Sequence, residues 1–164
     1  MNKKFSVLGI GNAIVDILIK TNEDFLSQHN IKKGVMQLVD LERANLLYSN
    51  IGTKPEISGG SGANTIYGLA SLGIATSYIG KVKDDMLGNR FRSDLLNMNV
   101  HYKTILADKI SAAETGRCIV FVTPDGERSM NTYLGVTEHL HVDDIYIDDV
   151  QNSDWIYLEG YRFD

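Results

Sequence analysis

The sequence predicts an α/β fold with a β-rich excursion, and three observations carry that expectation. Residues 58–98 run from a glycine turn into an amphipathic helix, an apolar run and a second helix, the rhythm of a helix-covered sheet. The opening run Phe5–Ile10, punctuated by Gly9 and Gly11, reads as a buried first strand. After His101 the texture changes to short strand-like runs separated by turn residues.

Taken in order, residues 13–19 form a second extended stretch whose single charged residue is Asp16, set among Ile14, Val15, Ile17 and Leu18. Asn22 is placed to cap a short helix over 23–29, with Glu23 and Asp24 at its positive end. An extended segment over 35–39 leads to Asp40, the expected cap of a helix over 41–49 that Gly52 and Pro55 terminate. The turn Gly59-Gly60-Ser61-Gly62 feeds a helix carrying Ala63, Ile66, Leu69 and Ala70, with Ser61 as its expected cap. A strand over 75–79 and a helix opened by Asp84 and Asp85 follow. Strands are then expected over 102–106, 117–123 and 128–134, the last two joined by the turn Pro124-Asp125-Gly126-Glu127. Weak helical signals over 142–146 precede a short apolar strand over 155–158.

Composition narrows the function. The 164 residues are 43% hydrophobic and 23% charged, ordinary for a globular chain. A formal charge of -5, with the basic residues scattered, argues against nucleic-acid binding, which needs a concentrated cationic surface. Neither a signal sequence nor an 18-residue apolar run occurs, so no membrane role and a cytoplasmic location are expected. The single cysteine, Cys118, lies in an apolar run and reads as a small buried side chain in a reducing compartment. The four histidines show no zinc-site spacing, so no protein-bound metal is expected.

The glycine turn by itself is equally a tight turn or a ligand approach. It is not a Walker A loop, since no Lys-Ser or Lys-Thr follows, and Gly9-Ile10-Gly11 has Ile14 where a dinucleotide fingerprint needs glycine. Three segments decide more together: Gly11-Asn12-Ala13-Ile14-Val15-Asp16, then Gly59-Gly60-Ser61-Gly62-Ala63-Asn64, then Gly80-Lys81-Val82-Lys83-Asp84-Asp85-Met86-Leu87-Gly88. In that order they resemble the PfkB, or ribokinase-like, family of carbohydrate and nucleoside kinases. Thr115-Gly116-Arg117, the Pro-Asp-Gly-Glu-Arg turn and Tyr157-Leu158-Glu159-Gly160 extend the likeness, with a leaning to the adenosine-kinase-like branch.

The resemblance implies an incomplete Rossmann-like ribokinase fold with a small β-sheet lid built from segments near 13–20 and 101–134. It makes residues 1–164 the N-terminal part of the kinase domain and puts the catalytic and ATP-binding half elsewhere. Asp16 is then the carboxylate that holds sugar hydroxyls, and accepting two hydrogen bonds suits a vicinal diol. Gly59 and Gly60 give the sugar access to the backbone, while Asn12 and Asn64 offer polar groups. Glu159 either approaches the sugar or is an ordinary strand-end charge, and Arg128 either faces a phosphoryl group or pairs with Glu127. The family usually has a small residue at the position of Ile66 and a glycine at that of Lys83, which puts the packing near the pocket in question.

No catalytic residue is assigned, because the Gly-Ala-Gly-Asp and Asn-x-x-Glu segments of the family have no counterpart in residues 1–164. ATP and Mg2+ are implied for the complete enzyme, and tight binding of either by these residues alone is not expected. The expected function is acceptor binding for an ATP-dependent kinase acting on a primary hydroxyl of a sugar or nucleoside. The rivals are a non-catalytic sugar-binding or subunit-interaction module and a non-functional remnant. Expected partners are the small-molecule acceptor and either a homodimer mate through the lid or a second chain bringing the other half.

Overall fold

A computed structural model describes residues 3–52, 54–103, 106–107 and 112–161. The chain runs β1 (Phe5–Ile10), β2 (Ile14–Lys20), α1 (Glu23–Gln28), β3 (Met36–Leu38), α2 (Leu41–Ser49), β4 (Glu56–Gly59), α3 (Ser61–Ser71), β5 (Thr76–Ile79), α4 (Met86–Asn97), β6 (Gly116–Val122), β7 (Arg128–Tyr133), α5 (Ile147–Gln151) and β8 (Ser153–Leu158). The weak helical signal after residue 140 resolves into a 3-10 turn at Val142–Asp144 followed by α5, and a further 3-10 turn spans Gly135–His139.

The strands form two sheets. A parallel sheet of order β5-β1-β8 is the α/β part, and a five-stranded sheet of order β3-β7-β6-β2-β4 is the β-rich part. The second sheet recruits β3 and β4, which lie outside the segments 13–20 and 101–134 that the sequence suggested for a lid. Backbone donors and acceptors on the sides of β2 and β7 explain this, since each needs a partner. Of the stretch expected as a strand over 102–106, the described residues Tyr102, Lys103 and Leu106 do not pair with that sheet. His101 and Ala107 instead make single parallel bridges to Ser77 and Lys83, while Thr104 and Ile105 lie outside the described residues.

Local chemistry fixes the helix starts. Asn22 Oδ1 accepts from the Phe25 amide at 2.9 Å, Asp40 Oδ1 from Arg43 at 2.7 Å, and Asp85 Oδ1 from Gly88 at 2.8 Å, each satisfying a first-turn N–H that has no partner inside its helix. Two apolar clusters hold the structure. One joins Ile66 of α3, Tyr78 of β5 and Phe91 and Leu95 of α4; the other joins Leu26, Leu47 and Ile51 to Ile17, Ile119 and Phe121 on one face of the five-stranded sheet. The bulk of Ile66 is accommodated because Gly9 of β1 has no side chain: a Cβ there would collide with Ile66. Lys83 requires no glycine-only conformation, since it is not among the residues with positive φ.

Candidate functional site

Strand alternation sorts the five-stranded sheet into two faces. Ile17, Ile119 and Phe121 point into the second apolar cluster, and Val15, which shares a face of β2 with Ile17, is buried in the first. The register puts Asp16 on the other face, in a row that crosses the sheet from Leu38 through Thr132, Cys118 and Asp16 to Ile57. The next row is Met36, Met130, Val120 and Leu18, and the one after it holds Arg128, Val122 and Lys20. Leu18, Met36, Leu38 and Ile57 are 41, 50, 62 and 50% exposed, so this face carries open apolar surface around one carboxylate. Sequence reading missed those four residues, because only strand register shows that they share a face with Asp16.

Asp16 is half-buried and lies directly on Gly59 of β4, where any side chain would collide with its carboxylate. Loss of water around it pushes the carboxyl up to about 6, since burial in low dielectric disfavours the ionised form. Cys118, its neighbour in the row, is buried, and its thiol is pushed up to about 11, first by that burial and further by the Asp16 charge, against the pull of a hydrogen bond. That bond is Thr132 Oγ1 to Cys118 Sγ at 3.2 Å.

Beside Gly59 the chain turns into α3. Gly60 has φ +93°, a left-handed backbone that disfavours any side chain, and a Cβ there would overlap the Asn12 carbonyl oxygen. The expected Ser61 cap is not found: Gly60 occupies the cap position, and Ser61 is the first helical residue. A carboxylate from across the chain does the capping instead. Glu159 Oε2 accepts from the Gly62 amide at 2.8 Å and from Ser61 Oγ at 3.0 Å, and Oε1 accepts from the Asn12 amide at 2.5 Å. Glu159 is buried, and both Gly11 and Gly62 lack the side chain that would crowd it. Its negative charge complements the positive helix end. Of the two sequence readings of Glu159, strand-end charge or sugar contact, the geometry therefore supplies a third: a clamp joining β8, the β1–β2 turn and α3.

Asn12 is also built into the frame. Its carbonyl accepts from Tyr78 Oη at 3.1 Å, and its Oδ1 from Thr137 Oγ1 at 3.4 Å. Asn64, in the first turn of α3, is exposed, and its backbone N–H is used by Gly60 O at 2.9 Å. Arg128 is exposed and, among the described residues, makes no ion pair with Glu127; it shares its row with Lys20, so two cations lie at one end of the Asp16 face. The structure thus brings Asp16, Gly59 and Gly60 together, keeps Asn12 and Glu159 as framework beside them, and puts Arg128 four residues along β7 from Thr132 in the Asp16 row, about 13 Å away at the rise of a strand.

The one glycine-rich helix start, where a phosphate would find backbone N–H groups, is filled by Glu159. No group of three or more His, Cys, Asp or Glu is arranged to hold a metal among the described residues. Among them, too, no helix is long and apolar enough to cross a membrane.

Comparison with known proteins agrees with this architecture. The model of the pfkB family carbohydrate kinases matches residues 49–164. Adenosine kinase 2 of Arabidopsis thaliana is 28% identical over 165 residues, covering 96% of this chain and 45% of the relative. Among solved structures, the adenosine kinase of Sinorhizobium meliloti superposes with a TM-score of 0.89 at 48% identity, covering 98% of this chain and 49% of that one. The probable sugar kinase of Rhizobium etli CFN 42 gives 0.87 at 46% identity, covering 97% and 48%. The chain spans about half the length of these relatives. Its two-sheet α/β architecture is the ribokinase fold of those adenosine and sugar kinases, and the chain belongs to the pfkB family of carbohydrate kinases.

Proposed function

We propose that this chain forms the acceptor-binding part of an ATP-dependent kinase that phosphorylates a primary hydroxyl of a nucleoside, with adenosine or a close relative as acceptor. One observation carries the reading: Asp16 is a desolvated carboxylate standing alone on an open apolar sheet face. A ribose diol returns two donors to such a carboxylate, replacing lost water. A flat heteroaromatic base has the apolar surface to lie against Leu18, Ile57 and their neighbours, which a free sugar lacks. Gly59 and Gly60 bring the backbone close to the sugar, Asn64 offers its amide, and Arg128 with Lys20 supplies positive charge on the same face for a phosphoryl group. Asn12 and Glu159 act through the frame. The similarity to adenosine kinases at 48 and 28% identity supports the same class.

ATP and Mg2+ belong to this reading as the phosphoryl donor and its counter-ion, held by parts other than the side chains described above. A cytoplasmic setting goes with it, where ATP is available and the buried Cys118 stays reduced. A second reading, a sugar-binding module without turnover, is favoured by the filled α3 start, which leaves no phosphate cradle there.

The test is a thermal-shift and calorimetric series on the full chain with adenosine, 2′-deoxyadenosine, ribose, fructose and their phosphates, with and without Mg2+ and ATP. Adenosine is expected to raise the transition, by about 2.7 kcal/mol of stabilisation at a hundredfold excess over Kd, and 2′-deoxyadenosine to do so far less. An equal response to ribose and adenosine would overturn the nucleoside assignment, and no response to any acceptor would overturn the binding role. Release of ADP by the chain would reject the module reading.

A further inference from the structure

Strand β4 carries Gly59 into the site, yet it lies at the edge of the five-stranded sheet. Among the described residues it pairs with β2 alone, over Glu56–Gly59. Along such an edge, alternate backbone groups turn away from the neighbouring strand and need another partner. At Ser58 that partner is Asp94 of α4. Asp94 Oδ2 accepts from the Ser58 amide at 3.3 Å and from Ser58 Oγ at 2.8 Å. Arg90, one turn earlier on α4, donates to the same carboxylate at 3.2 Å and offsets its charge. The helix is itself firmly seated, because its Phe91 and Leu95 are fully buried in the first apolar cluster. A helix of the α/β part thus grips the edge of the β-rich sheet one residue before Gly59.

That grip bears on Asp16. In the ladder Ser58 stands beside Val15 and Gly59 beside Ile14, and the Asp16 carboxylate fills the space over the bare Cα of Gly59. Any displacement of Ser58 therefore shifts the surface on which the carboxylate rests. Strand alternation puts the Ser58 side chain on the Val15 face, opposite to Asp16, so it acts through the strand and not by contact with the acceptor. The other side-chain tie to β4, from Tyr48 Oη to Glu56, lies at the far end of the strand. We infer that Asp94 and Ser58 are positioning residues for the acceptor-binding carboxylate: their contact holds β4 against β2, keeps Gly59 beneath Asp16, and limits the access of water to that acid. With the contact broken, the Ser58 donors turn to water, β4 loosens, and Asp16 is hydrated before any diol arrives. The inference rests on the acceptor-binding reading of Asp16 and deepens it.

Asp16 reports on its own surroundings, since loss of water is what raises its carboxyl. The full chain, with carbon-13 in its aspartate carboxyl groups and the Asp16 signal assigned through Asp16→Asn, is titrated by NMR without nucleoside. Adenosine affinity is measured separately by calorimetry. Asp16 of the unaltered chain is expected to titrate at about 6. Ser58→Ala and Asp94→Ala are each expected to bring that midpoint below about 5, closer to an ordinary carboxyl. Each is also expected to weaken adenosine binding by at least about threefold, as for the loss of one hydrogen bond. Ser58→Thr keeps the hydroxyl and should behave as the unaltered chain does. Ser58→Ala changes no charge, so a moved midpoint there reports water at Asp16 and not the loss of a neighbouring carboxylate. Alanine favours a helix interior, so Asp94→Ala leaves α4 folded. A lowered unfolding temperature with Asp16 still titrating at about 6 and adenosine bound as before would reduce the contact to a structural one and overturn the inference. A midpoint moved by Asp94→Ala but not by Ser58→Ala would overturn it too. An unaltered chain that binds no adenosine, while both variants move the midpoint, would sink the acceptor reading and uphold the positioning of Asp16.

Discussion

The carboxylate of Asp16 occupies the space that a side chain at Gly59 would need. A glycine at the end of β4 therefore sets where the one carboxylate of β2 points, and an acid on an apolar face has a fixed direction. Gly59→Ala is expected to drive the carboxylate aside, with a modest loss of stability of about 1–2 kcal/mol and a loss of adenosine affinity of at least about tenfold. Urea denaturation and calorimetry measure the two effects separately, and unchanged affinity would remove Gly59 from the site.

Asp16 itself is expected to trade stability for binding. Its folded-state carboxyl sits near 6, against about 4 when unfolded, so the native state holds that proton more tightly. The contribution of this group to stability is thus greatest below about pH 4, falls as pH rises towards about 6, and is constant above. Asp16→Asn removes the desolvated charge. It is expected to raise the unfolding midpoint at pH 7–8 by roughly 3–6 °C, equivalent to about 1–2 kcal/mol, and to abolish adenosine binding. Wild-type affinity should decline below pH 6 as the acceptor oxygens are protonated. A destabilised Asp16→Asn variant would show that the carboxylate is satisfied in the unliganded fold.

Gly60→Ala tests the backbone. The left-handed φ and the clash with the Asn12 carbonyl act together, so a loss of about 2–4 kcal/mol is expected, well above the Gly59→Ala effect. Circular dichroism in a urea titration reads the difference, and equal effects at the two positions would contradict the conformational argument.

Glu159→Gln keeps the size of the clamp and removes its charge. Charge-assisted bonds to Asn12, Ser61 and Gly62 weaken, and one Gln oxygen cannot serve both ends. A loss of about 1–3 kcal/mol is expected. Hydrogen exchange should show faster opening at the Gly62 and Asn12 amides, and protection unchanged at those two positions would refute the clamp.

The ion pair of Lys81 with Asp144, 2.7 Å long with both side chains largely buried, ties the strand-end segment after β5 to the 3-10 turn at Val142–Asp144. Asp144 also accepts from the His141 amide at 2.8 Å. Lys81→Met alone leaves a buried carboxylate and is expected to cost about 3–5 kcal/mol. Asp144→Leu added to it should recover part of that loss, which a thermal-denaturation cycle of the four proteins would register. Additive losses would show that the two charges act independently.

The sequence by itself determined the α/β class, the helix caps at Asn22 and Asp40, the glycine turn before α3, and the resemblance that picked out Asp16, Gly59 and Gly60. These are legible because capping, periodicity and glycine's freedom are short-range effects, visible within a few residues. Tertiary structure alone decided what each long-range group meets. Ser61 looked like the α3 cap until Glu159, 97 residues from Gly62, took that role. The residues 102–106 read as a strand of the β-rich part, yet His101 and Ala107 bridge to the segment around β5, because β propensity does not say which neighbour has a free edge. The apolar face around Asp16 appears only when the register of β2, β4, β6, β7 and β3 is known, since a shift of one residue would turn every side chain over. Trp155 to Leu158 spell a buried strand in sequence, and only the assembled sheet shows them uncovered, because burial depends on what packs against a strand and not on the strand itself.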